Sequence, residues 1–188
     1  MKKGISFFLS VVLLLTLLPG SAYAAESGMG NFQRNGSYYT GLFTDVPADA
    51  WYADGVAAAY ELGLMVGSGQ KTFSPNGTVT LAEAVAMAAR IHSRYGSGLE
   101  SFAQGSPWYQ VYVDYAVNNG LLPAGEFSDF TVPATRGQLA HIFAAALPAS
   151  ELAPINSVPT LPDVDDTTPY HDDIFLLYRA GVLTGNDS

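Results

Sequence analysis

The chain repeats one pattern three times. Trp51 lies in FTDVPADAWYADGVAAAYELGLMVGSG, Trp108 in SPWYQVYVDYAVNNGLLPAG and Tyr170 in LPDVDDTTPYHDDIFLLYRAGVLTGND. Each copy holds an aromatic residue, apolar residues at helical spacing, and a glycine followed by two apolar residues. Trp51 and Trp108 are 57 residues apart, as are Gly63 and Gly120, and Gly181 follows Gly120 by 61. A period of this size, kept while the residues between it change, marks stacked supersecondary units. Each unit buries its apolar face against a neighbour.

Within the first copy, Tyr52, Val56, Ala59 and Tyr60 fall on one face of a helix that Gly63 ends, with Leu64 behind it. A turn-rich stretch follows, in which Phe73 is the large apolar anchor and Ser74-Pro75-Asn76-Gly77 a turn. Thr80 and Glu83 then have capping-box spacing, so a second helix is predicted to begin there, with Ala84, Met87, Ala88, Ile91 and Tyr95 as its buried stripe. The second copy repeats this logic. Tyr109, Val113, Ala116 and Val117 lead to Gly120. Thr135 and Gln138 then form a cap pair ahead of Leu139, Ile142, Phe143 and Ala146. The third copy offers Ile174, Leu177, Tyr178 and Gly181, and the sequence stops at Ser188 before a second helix. We read that end as a truncation.

Residues 1–24 read as an export signal: Lys2 and Lys3, an apolar run from Ile5 to Leu18, a Pro19-Gly20 break and an Ala22-Tyr23-Ala24 cleavage site. The run is shorter than the ~20 residues that span a bilayer. No membrane insertion is therefore expected after cleavage. Loss of Lys2 and Lys3 takes the net charge from −9 to −11. Such a chain repels nucleic acid, which is excluded as a partner. Cysteine is absent, which removes disulfides and zinc–thiolate sites. His92, His141 and His171 sit at inequivalent repeat positions, so neither a metal site nor a cofactor is expected, and no nucleophile or phosphate-loop motif suggests an enzyme.

The ordered motifs resemble the S-layer homology domain. Phe43-Thr-Asp45-Val46, Trp51, Gly63-Leu-Met-Val-Gly67, Phe73-Ser-Pro75 and Val79-Thr-Leu-Ala-Glu83 follow that family's order. The second copy keeps Trp108, Gly120-Leu-Leu and Ala134-Thr-Arg136, and the third keeps Asp163-Val164 and Gly181-Val-Leu-Thr-Gly185. The resemblance implies a mainly α fold of tandem helix–loop–helix repeats. These would form a three-pronged spindle around a central bundle of first helices, the third repeat being incomplete. Expected boundaries are a disordered lead-in at 25–41, repeats at 42–97 and 98–150, a linker at 151–162 and a third repeat at 163–188.

The resemblance further implies a secreted, non-catalytic anchor at the cell wall or S-layer of a Gram-positive bacterium. Its partner would be secondary cell-wall polysaccharide, often pyruvylated, and the family's ligand-binding Arg opens the second helix. An Arg there adds a carboxylate fork to free amides and a positive dipole end. Position 81 is Leu, however, and the third copy ends before its motif, so Arg136 is the leading ligand contact. Its rival role is a surface ion pair. Trp51 and Trp108 either plug the core, the leading expectation, or form floors for a sugar face. Thr80, Glu83, Thr135 and Gln138 are helix caps before they are ligand contacts. Asp45 and Asp163 are expected to accept from loop amides. Two other readings compete with the anchor: an S-layer assembly protein that self-associates without binding sugar, and the anchoring front of a longer secreted wall enzyme.

Overall fold

The computed structural model describes residues 27–98 and 101–185. The expected export signal lies outside the described residues. Among them there are five α-helices and no strand: α1 (Ala53–Glu61), α2 (Leu81–Ser97), α3 (Gln110–Asn118), α4 (Arg136–Ala144) and α5 (His171–Arg179). The first and second repeats each supply a pair, and α5 is the first helix of the third.

Local chemistry fixes the helix ends. Thr80 and Thr135 cap α2 and α4, each hydroxyl accepting from the third amide of its helix, while Glu83 and Gln138 reach back to the Thr amide at 2.8 Å. The first helices all stop in one way. Gly63, Gly120 and Gly181 are left-handed (φ 68°, 74° and 73°). Their amides bond Tyr60, Val117 and Tyr178, and the next residue's amide bonds one carbonyl further back. This double closure needs a residue without a Cβ penalty.

The helices form a relay in which α2 packs on α3, α4 on α5, and α2 on α4. The expected central bundle of first helices is corrected: among the described residues α1, α3 and α5 do not touch one another, and the second helices meet instead. Composition explains the choice. Ala82, Ala84, Ala86, Ala88 and Ala89 of α2 are all buried, so neighbours approach closely on several sides and the expected narrow stripe widens. Met87, Ile91 and Tyr95 of that stripe are only half-buried. Ile142 and Ala146 enter the same core from the second repeat, together with Tyr112, Val113 and Ala116 of α3.

Helix α1 lies outside the relay. It packs on its own loops through Phe43, Val46 and Val56, with the Tyr38, Tyr60 and Phe73 rings around Phe43. Two cations unremarked in the sequence tie its end to α2. Arg94, 8 % exposed, donates to the Leu62 carbonyl, and Arg90 donates to Leu64 O at 3.3 Å and to the Tyr112 hydroxyl at 2.9 Å.

The described part of the lead-in hydrogen-bonds to two helix ends. Gly28 N and Asn31 Nδ2 donate to Tyr95 O, and Asn35 N and Gly36 N donate to Glu61 O. The segment 151–162 makes the matching strap in the third repeat, where Ile155 N and Asn156 N donate to Arg179 O. In both cases loop amides satisfy carbonyls that the helix end leaves open.

Candidate functional site

Arg136 is the first residue of α4, placed there by the Thr135 cap. One guanidinium nitrogen donates to Thr184 O at 2.8 Å, so the side chain links the second repeat to the third. It lines a cavity of about 750 Å³ between the two, shared with Asp163, Tyr170, Ile174, Tyr178 and Thr184. The amide of Gly137 takes no protein acceptor among the described residues. A guanidinium and an amide thus lie together at the positive end of the helix, the guanidinium holding Thr184 O.

The equivalent junction between the first and second repeats is closed. Leu81 occupies the position of Arg136 and is 2 % exposed. The two amides opening α2 are taken by the second repeat: Leu81 N donates to Val132 O at 3.0 Å and Ala82 N to Phe130 O at 2.8 Å. Phe127, Phe130 and Tyr109 pack against the core that contains Leu81, with Phe130 6.0 Å from Tyr109 and 5.9 Å from Phe127.

The tryptophans stand apart from Arg136. Trp51 is 93 % exposed and Trp108 48 % exposed, so the leading expectation that both plug the core is overturned. Each indole meets the next tyrosine edge-on, at 5.5 Å for Trp51–Tyr52 and 5.8 Å for Trp108–Tyr109. The tyrosines turn inward and leave the indoles outside. The third repeat carries Pro169 at this position, and Pro169 does line the cavity.

The acidic residues divide by loop. Asp45 accepts from Phe73 N at 2.8 Å and Ser74 N at 2.7 Å, and those amides hold its carboxyl below the usual range. Asp163 lines the cavity, and the loop-closing carboxylate of the third repeat is Asp165. It accepts from Thr167 Oγ1 at 2.7 Å and Thr167 N at 2.9 Å, contacts that likewise lower its pKa. His141, Asp173, Glu126 and Tyr170 meet beside the cavity, a cluster that spacing along the chain does not reveal. His141 Nδ1 is 2.7 Å from Asp173 Oδ2, and its ring stacks on Tyr170 at 4.6 Å. Burial, and then a hydrogen bond to Glu126, pushes the Tyr170 phenol up. The histidines do not converge, and no group of acidic residues and histidines able to hold a metal ion occurs among the described residues.

Repeated helix pairs with capped second helices, and a cavity at the start of one of them, define a helical repeat module. Residues 42–85 match the S-layer homology domain, and the chain carries that domain. It is 34 % identical over 121 residues to the surface-layer 125 kDa protein of Lysinibacillus sphaericus, covering 60 % of this chain and 10 % of that protein. It is 33 % identical over 124 residues to exoglucanase XynX of Acetivibrio thermocellus, covering 60 % and 11 %. With the amylopullulanase of Thermoanaerobacterium thermosulfurigenes the identity is 32 % over 124 residues, covering 60 % and 7 %. The chain thus spans about a tenth of the length of these curated relatives. No solved structure matches it.

Proposed function

We propose that the chain is a non-catalytic anchoring module that binds secondary cell-wall polysaccharide in the groove between its second and third repeats. The protein is secreted and associated with the cell wall or S-layer. The observation that carries the ligand reading is Arg136, set at the start of α4 on the wall of a cavity of about 750 Å³. A carboxylate-bearing substituent, such as a pyruvate ketal, fits the guanidinium fork and the Gly137 amide. Asp163 accepts from sugar hydroxyls, and the Tyr178 ring offers an apolar wall. The exposed indoles of Trp51 and Trp108 are further sugar faces, away from this groove. The repeats at 42–97 and 98–150 and the third beginning at 163 are the units of this module.

Cell-wall sacculi from a Gram-positive host test this reading by co-sedimentation, before and after chemical removal of the wall polysaccharide. The expected result is pelleting that depends on the polysaccharide and weakens about tenfold or more in Arg136→Ala, the effect of losing a charge-assisted contact. Equal pelleting of the stripped sacculi rejects polysaccharide as the ligand. Equal retention of the variant removes Arg136 from the site.

A second reading has its own observation. The closed junction at Leu81 and the exposed Trp51 and Val66 suit an assembly role with self-association. Sedimentation velocity of the folded protein distinguishes it: a concentration-dependent dimer without wall pelleting favours assembly. The enzyme relatives place similar segments within longer chains, and attachment of a wall enzyme is the matching whole-protein role.

A further inference from the structure

Tyr52, Tyr109 and Tyr170 hold one position in three repeats, directly before the first helix of each. Two are relaxed. Tyr52 has φ −94°, ψ −3° and Tyr109 has φ −84°, ψ −13°. Tyr170 alone is left-handed, at φ 62°, ψ 26°. A bulky aromatic residue is strained in that region, and such strain persists only where the surroundings over-determine it.

Two contacts do so here. The Tyr170 ring stacks on the His141 ring with 22° between planes, and its hydroxyl donates to Glu126 Oε1 at 3.2 Å. His141 belongs to α4, Asp173 to α5 and Glu126 to a loop of the second repeat. Two other parts of the chain therefore converge on this imidazole of α4.

His141 is itself anomalous. Its Nε2 is buried without a hydrogen-bond partner, 3.9 Å from Glu126 Oε1. An unpaired buried nitrogen opposes folding, so packing alone does not select this residue. Counting from the Thr caps, the equivalent position in α2 is Ala86, which is buried and leaves nothing unpaired. Both departures, the strained tyrosine and the incompletely paired histidine, occur at the open junction and not at the closed one. Tyr170 also lines the cavity that Arg136 lines.

We propose that His141 is a positioning residue that holds Tyr170 in its strained conformation, so that the tyrosine ring forms the floor for one sugar ring of the bound polysaccharide beside the Arg136 subsite. This rests on the reading that the groove takes a polysaccharide. It adds a division of labour: the guanidinium takes the acidic substituent, and the Tyr170 ring takes the apolar C–H face of a sugar. The other two tyrosines are packed into the fold and the third is reserved for the ligand.

Three variants of the full chain test it, with sacculi carrying intact wall polysaccharide as the probe. Tyr170→Gly removes the ring and accepts φ 62° without strain. The thermal midpoint should hold or rise while affinity falls about threefold to tenfold, as for loss of an aromatic contact. His141→Gln removes the stack, so the Tyr170 ring protons should lose their ring-current shift and affinity should fall comparably. His141→Phe restores a ring beneath Tyr170 and should recover both. A lower midpoint in Tyr170→Gly with unchanged binding per folded molecule overturns the sugar-facing role and leaves Tyr170 purely structural. An unchanged Tyr170 ring shift in His141→Gln overturns the positioning. Wild type that fails to pellet overturns the polysaccharide reading together with the sugar floor, while the ring shifts still judge the positioning on their own.

Discussion

The two inter-repeat junctions use the same framework for opposite ends. At the first, Leu81 is buried in the core that Phe130 and Tyr109 pack against, and the opening amides of α2 bond a neighbouring loop. At the second, Arg136 takes the position of Leu81, no described residue accepts from the next amide, and a cavity of about 750 Å³ remains. One side chain at the first helical position decides whether a junction contributes to the core or to a surface. The difference teaches that the repeats are not interchangeable: the first junction is closed into the core, and the second keeps an open cavity lined by Arg136.

Leu81→Arg is the strongest way to break this contrast. It forces a cation into the closed junction and should destabilise the full chain by about 3 kcal/mol or more in urea unfolding. The mirror change, Arg136→Leu, should alter stability by less than about 1 kcal/mol because position 136 is exposed. Equal costs at the two positions would dissolve the distinction. Phe130→Ala should come next, at about 2 kcal/mol, since Phe130 is only half-buried but packs against the core that holds Leu81. A loss well under 1 kcal/mol would mean that the backbone bonds, not the ring, close the junction.

Gly137→Ala sharpens the comparison in the other direction. A Cβ there would meet Pro169 O and the Tyr170 ring at 3.6 Å and Ile174 at 3.9 Å, ordinary contact distances. Ala in place of Gly should therefore stabilise α4 by roughly 0.5–1 kcal/mol. Thermal unfolding checks this, and a fall in the midpoint would show that the groove needs the missing methyl.

The smallest effect is with pH. His92 of α2 lies 2.9 Å from the Tyr115 hydroxyl of α3 at the closed junction, and burial lowers its pKa below the ordinary 6.5. The unfolded chain then takes up a proton more readily than the folded one. Its contribution is present above about pH 6.5 and is lost as pH falls through the lower folded value. The thermal midpoint should drop from pH 7 to pH 5, and less steeply in His92→Phe. Identical slopes would assign the acid sensitivity to carboxylates such as Asp45, whose lowered pKa acts in the same direction at lower pH.

Much of the fold was legible because its signals are local. The Thr80 and Thr135 caps, the three glycine stops and the periodic apolar positions each act within one or two turns of helix. The position of Arg136 could be read for the same reason, since the cap that places it is adjacent in sequence. Trp51 misled because helical spacing tells which residues share a face, and says nothing of whether a neighbour arrives to cover it. Tyr52 took the inward place, and α1 packed on its own loops. Arg94 was missed because its acceptor, Leu62 O, becomes available only when the end of α1 lies against α2.

By itself the sequence determined the helices, their ends, the repeat and the exchange of Leu for Arg, all of which follow from backbone chemistry over a few residues. Only the tertiary structure decided which junction closed and which stayed open. It also decided that second helices meet, and that His141, Glu126 and Asp173 gather around a strained Tyr170. The physical reason is that burial and pairing depend on residues 30 or more positions apart, and their meeting is settled by packing volume rather than by any local preference.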